Sequence, residues 1–160
     1  MSKESIQRNQ LADYLMVGGN YELMGVGFNT LDENPTAQVD TKTYINDKCS
    51  TSVIKGYQTQ FSYTSDLIKS EAAVMAIYNV GRNQLTGSEA EFDYVRVELF
   101  EPVAEKENTF KARKFNVTCE VASFAGAGGE KVVVSGNLYS NATPVEGEFN
   151  TTTRIFTETK

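Results

Sequence analysis

Any chemistry in this chain would have to run on carboxylates, because the other side chains that usually do such work are scarce. Histidine is absent from the 160 residues. That removes the Ser-His-Asp and Cys-His nucleophile systems, histidine-ligated zinc or iron, and any histidine-based pH switch. The two cysteines, Cys49 and Cys119, are too few for a disulfide scaffold or a four-cysteine zinc site. Cys119 alternates with Phe115, Val117 and Val121 and reads as a small core residue. Cys49 lies in the polar stretch 46–52, where a surface turn is expected and nothing nearby activates the thiol. The two thiols are therefore expected to be free. The richest acidic run is Glu89, Glu91, Asp93, Glu98, Glu101, Glu105 and Glu107, set against Arg96 and Lys106. Two such acids can serve a hydrolase as acid and base, but a run this dense reads first as a solvated acidic surface. Lys111, Arg113 and Lys114 follow directly, an arrangement suited to charge-complementary docking between copies of one protein.

The glycine clusters add no chemistry. Gly126-Ala127-Gly128-Gly129-Glu130-Lys131 lacks the spacing of a phosphate loop, and a strand rather than a helix is expected after it. Gly25-Val26-Gly27 lacks the third glycine and the following helix of a dinucleotide fingerprint. No catalytic residue, cofactor or metal is expected, and the chain is not read as an enzyme.

The elements that position these residues are mostly strands. Residues 1–20 are polar and weakly patterned, and they read as an N-terminal arm ending at Gly18-Gly19. Residues 21–160 are expected to form one domain. Residues 21–28 suggest a short strand, Asp32-Glu33-Asn34-Pro35 a turn, and 36–45 an alternating strand. Residues 52–63 predict a strand with Tyr57, Thr59, Phe61 and Tyr63 on one face. The single helix expected begins at Ser65-Asp66 and ends at Gly81, with Leu67, Ile68, Val74, Met75, Ile77 and Tyr78 at helical spacing. Its other sides carry Ala72, Ala73, Ala76 and Val80, so burial on more than one face is expected. Val95, Val97 and Leu99 point inward from a strictly alternating strand. Residues 115–121 and 131–138 predict a hairpin joined by the glycine loop, and 149–157 one closing strand. The fold class is mainly β, an antiparallel β-sandwich or partly closed barrel with one flanking helix.

Composition agrees with a folded domain: 40% hydrophobic, 22% charged, 11% aromatic and no tryptophan. A net charge of −6 argues against a protein that grips nucleic acid, because that grip rests on neutralising phosphates. No stretch has the make-up of a signal peptide or a membrane span, so folding in a cytoplasm is expected.

Several segments, taken in order, resemble the major tail (tail tube) protein family of tailed bacteriophages of Gram-positive hosts. They are Tyr44-Ile45-Asn46-Asp47-Lys48, Tyr63-Thr64-Ser65-Asp66-Leu67-Ile68, Asn83-Gln84-Leu85-Thr86-Gly87 and Asp93-Tyr94-Val95-Arg96-Val97. To these are added Gly129-Glu130-Lys131-Val132-Val133-Val134-Ser135-Gly136-Asn137-Leu138, Pro144-Val145-Glu146-Gly147 and Phe149-Asn150-Thr151-Thr152-Thr153. The resemblance implies a structural virion protein whose homohexameric rings stack into the tail tube that conducts DNA from capsid to host. It also implies partners: the tape measure protein, a tail terminator, and distal tail or baseplate proteins. On this reading the helix, through Ala73, Val74, Ala76 and Ile77, contributes to the ring contact. The loop holding Asn46, Asp47, Lys48 and Cys49 reaches the next ring, with the N-terminal arm and the C-terminal tail as competing candidates. Glu89, Glu91, Asp93 and Glu98 are the candidates for an acidic lumen along which DNA slides without specific binding. The alternative is a ligand- or carbohydrate-binding β-sandwich module, against which the lack of tryptophan counts; a carboxylate hydrolase ranks third.

Overall fold

The computed structural model describes residues 3–159, a chain of antiparallel strands with one α-helix among the described residues. In chain order the strands are β1 (Leu11–Val17), β2 (Asn20–Leu23), β3 (Phe28–Asn34), β4 (Ala37–Lys42), β5 (Thr51–Tyr57) and β6 (Gln60–Asp66). Helix α1 (Ala72–Arg82) follows, then β7 (Glu91–Pro102), β8 (Thr109–Ala125), β9 (Val133–Ser140), β10 (Val145–Asn150) and β11 (Ile155–Glu158). Nine strands form one sheet in the order β2-β1-β7-β8-β9-β6-β3, with β10 paired to the first half of β8 and β11 to β10. Strands β4 and β5 form a separate two-stranded ribbon.

The large sheet curls into a partial barrel, as the expected fold class requires. Its inner face packs Leu15, Leu31, Phe61, Tyr94, Phe115 and Leu138 against Ile77 and Val80 of α1. A second core lies on the opposite face, where Tyr14, Tyr21, Val95, Val97 and Ala112 close around Phe149 of β10. Phe149 stacks on Tyr14 with ring centroids 4.5 Å apart, and meets Tyr21 edge-on at 5.6 Å. Strand β7 runs between the two cores. Val95 and Val97 are buried as expected, and so are Tyr94 and Arg96 on its other face.

Four expectations are corrected. The N-terminal arm of residues 1–20 is replaced by a core strand over Leu11–Val17; residues 1 and 2 lie outside the described residues. Both faces of β1 are covered, Leu15 by the inner core and Tyr14 by the outer one, so no polar alternation marks the segment. Gly18-Gly19 is the two-residue turn between β1 and β2, and both glycines take positive φ (59° and 87°).

The expected strand over 52–63 is two strands in different sheets. The Gln58 N–H donates to the Thr36 carbonyl at 3.0 Å and closes the base of the ribbon. Tyr57 therefore stands on the ribbon, while Phe61 enters the core. The helix starts later than expected, because Ser65 and Asp66 belong to β6 and pair with Val134 and Val133 of β9. It also runs through Gly81, which is no terminator. A Cβ there would lie 2.6 Å from the Phe124 ring and 2.8 Å from Val121, so glycine lets the helix sit close on β8.

Residues 149–157 form a turn and hairpin rather than one strand. The Asn150 Oδ1 accepts from the backbone N–H groups of Thr152 and Thr153, both at 2.9 Å, and the chain folds back to pair Phe156 with Phe149.

Candidate assembly surfaces

The β4–β5 ribbon stands off the body, and almost all its residues are exposed. It is two-faced. Opposed pairs put Val39 and Ile54, Ala37 and Tyr57, and Thr41 and Ser52 on one side. Gln38, Asp40 and Lys42 point the other way with Val53 opposite Asp40, and Lys55 lies 3.8 Å from Asp40. Between Gln38 and Val39 the register shifts, so that Lys55 is an extra residue in the ladder. That bulge decides the chemistry of the surface. Without it Ile54 and Tyr57, three residues apart, would face opposite ways; with it they share one face. Tyr57 is 65% exposed. At the tip, Tyr44 and Ile45 precede Asn46, Asp47, Lys48 and Cys49, all exposed, and Cys49 is a free thiol.

A cleft of about 810 Å³ opens between β1 and the first half of β3. Its walls are largely apolar, with Leu11, Leu23, Phe28, Leu31, Leu99 and Phe110 prominent. Strand β3 is an end of the sheet and pairs with β6. Its other edge is joined through side chains to the turn before β1 and to β7: Arg8 and Arg96 donate to the Leu31 carbonyl at 3.4 and 3.3 Å.

Those arginines belong to an ionic cluster, buried at Asp13 and Arg96 and open to solvent at Arg8, that sequence reading missed. Asp13, 2% exposed, receives Arg8 at 2.7 Å, Arg96 at 3.6 Å and a hydrogen bond from the Tyr94 hydroxyl. Glu33 of β3 takes both terminal nitrogens of Arg113 at 3.0 and 2.6 Å and lies 3.8 Å from Arg96. The bidentate Glu33 bond holds the Arg113 guanidinium above its already high ordinary pKa. Burial, with Asp13 beside it, pushes the Tyr94 hydroxyl well above its usual range. This cluster ties the β3 end of the open sheet to β1, β7 and β8. The only sequence signal was an acid, Asp13, inside an apolar run.

The positions expected to make the ring contact are placed differently. Ala73, Val74 and Ile77 are at most 2% exposed within the single chain, packed against its own sheet, and Ala76 is half-buried. The helix is apolar on several sides because the curled sheet wraps it, and those three residues offer no surface to a second subunit.

The expected acidic surface is also divided. Glu89 and Glu91 are exposed, and Asp93 shares a face of β7 with Glu91. Glu98 points to the opposite face, 4.0 Å from Arg113. The four acids therefore do not form one patch.

Both cysteines are free; Cys119 is buried, and burial pushes its thiol up to about 11. No helix among the described residues is long and apolar enough to cross a membrane.

Neither a protein-family model nor a curated protein matches the sequence. The fold does have a counterpart among solved structures. It is similar to a chain of a structure described as "Cryo-EM structure of the anti-feeding prophage (AFP) baseplate, 6-fold symmetrised", with a TM-score of 0.52 and 8% identity. The match covers 94% of this chain and 98% of that one, so the likeness extends over the whole fold.

Proposed function

We propose that the chain is a structural subunit of a phage tail or phage-tail-like particle, a tail tube protein whose hexameric rings stack around a DNA channel. The observation that carries this reading is the exposed, two-faced ribbon. An isolated two-stranded hairpin is marginally stable in water, and one with an uncovered apolar face needs a partner to pack against. The likeness to a chain from a six-fold symmetrised baseplate supports a tail-type assembly, and the order of motifs along the sequence supports a tube. On this reading function is mechanical and involves no reaction. The partners are further copies of the chain, the tape measure and terminator proteins, and the distal tail or baseplate.

The reading assigns the tip residues Asn46, Asp47, Lys48 and Cys49 to contacts between rings. Six copies at −6 each give the ring an acidic character that repels phosphate wherever it lines the channel. Negative-stain electron microscopy of the purified chain at high concentration tests the proposal directly. Rings about one subunit thick, or tubes built from them, are expected; particles of single-chain size at every concentration would overturn it.

A further inference from the structure

The molecule carries both halves of a head-to-tail contact. We infer that the cleft between β1 and β3 receives the apolar face of the β4–β5 ribbon of a second copy of this chain. The inference deepens the tube reading by naming the receiving site.

Three observations select a second copy as the occupant. The first is placement. The ribbon leaves the body beyond Asn34, the last residue of β3, while the cleft is lined by Phe28, Leu31 and their neighbours at the start of that strand. The ribbon's apolar face is exposed, so it does not fill its own chain's cleft. A protrusion and a recess at opposite ends of one strand make a heterologous contact, which repeats without using up either half.

The second observation is chemical match. The ribbon offers Val39, Ile54 and Tyr57 on one face, and the cleft offers Leu11, Leu23 and Leu99. Arg8 and Arg96 already occupy the Leu31 carbonyl on the edge of β3, so docking proceeds by side-chain packing rather than by adding a strand to that edge.

The third is charge. Residues 37–57 hold Lys42, Lys48 and Lys55 against Asp40 and Asp47, a net +1 in a chain of net −6. The segment between the cleft residues Leu99 and Asn108, the end of β7 and the turn after it, carries Glu101, Glu105 and Glu107, and Lys106 there is bound to Glu148 at 2.6 Å. A slightly basic ribbon thus meets an acidic rim.

Complementation between two defective variants tests this. Ile54→Asp blocks the ribbon and leaves the cleft intact. Leu23→Asp, or Thr30→Arg at an exposed position in the wall, blocks the cleft and leaves the ribbon intact. Each variant alone should give single rings or monomers but no stacks, and melt within a few degrees of the parent. Mixed in equal amounts, a ribbon variant and a cleft variant should form one-to-one pairs, of rings or of single chains, and no stack longer than a pair, because only one good ribbon–cleft contact remains between them. One-to-one pairing of the mixed variants, with parent chains that never form tubes, would support the contact and overturn the tube. Tubes of ordinary length from either cleft variant would overturn the contact and leave the tube standing. A parent chain that stays monomeric throughout overturns both, and assigns the ribbon to a different protein.

Discussion

Cys119 shows how a side chain with no chemical task still sets a property of the molecule. Its thiol is buried beside Tyr63 and Leu138, and its pKa is pushed up to about 11, whereas in the unfolded chain it ionises near 9.0. Below the unfolded value both states hold the proton and stability is unaffected. Above it the unfolded chain releases the proton while the folded chain keeps it, so stability falls as pH rises from 9 towards 11. The loss attributable to this group reaches about 2–3 kcal/mol. Urea melts of the parent and of Cys119→Ala at pH 8 and pH 10.5 should show a steeper decline in the parent. Equal declines would mean that the thiol does not contribute. The buried ions predict a different signature. Arg96→Met leaves the volume filled but strips Asp13 and Glu33 of a partner, and breaking a buried pair of this kind costs about 3–5 kcal/mol. Removing both charges, with Asp13→Leu added, should recover part of that loss, because no uncompensated acid then stays at the Asp13 site. Chemical denaturation of these two variants and of Asp13→Leu alone measures the coupling.

At the scale of elements, β1 and the ribbon make opposite demands. Residues 1–20 read in sequence as an N-terminal arm, yet Leu15 is fully buried and β1 pairs with β2 and β7. Deleting residues 1–17 should therefore give a chain that does not fold, seen as collapse of amide dispersion in NMR spectra; a deleted chain that folds would return the segment to the status of an arm. The ribbon should tolerate change. Shortening residues 46–50 removes exposed side chains without core duty, so the melting temperature should hold within about 2 °C. On the proposed reading the same variant yields rings or monomers but no long tubes by electron microscopy. Helix α1 sides with β1: Val74→Asp puts an unpaired charge in the core at a cost of several kcal/mol. It is expected to unfold the subunit rather than spare the fold and block assembly, and circular dichroism distinguishes the two.

For the whole molecule, the relevant scale is that of the charges spread over its surface. Repeating copies at −6 each repel one another, while the ribbon's lysines and the acidic rim attract. These terms respond to salt in opposite directions. Exposed pairs are screened within about 8–10 Å at ordinary ionic strength, whereas apolar contacts persist. If Lys42, Lys48 and Lys55 steer docking, raising salt from about 0.05 to 0.5 M should slow tube growth, measured by light scattering, more than it lowers the final tube mass. Growth that accelerates with salt would show that net repulsion, not steering, controls the approach.

The sequence by itself determined the class of fold and the local signals: strict alternation through Val95 and Val97, the hairpin across the glycine loop, and a burial site for Cys119. It also determined that histidine chemistry is impossible. It could not reveal β1, because a strand buried on both faces loses its alternation, and its one acid is paired with arginines 5 and 83 residues away in sequence. It could not divide residues 52–63, since the same alternation runs through the free ribbon and the core strand alike. It marked the helix as too apolar for one wall but not why; only the curl of the sheet shows that the chain itself covers those sides. The acidic residues looked like one surface because they are neighbours in sequence, whereas the pleat of β7 sends Glu91 and Glu98 to opposite faces. Local propensity depends on a few adjacent residues, so sequence carries it. The meeting of β3 with β1 and β7, and the single-residue bulge that turns the ribbon apolar on one face, depend on registers between distant segments, which tertiary packing alone decides.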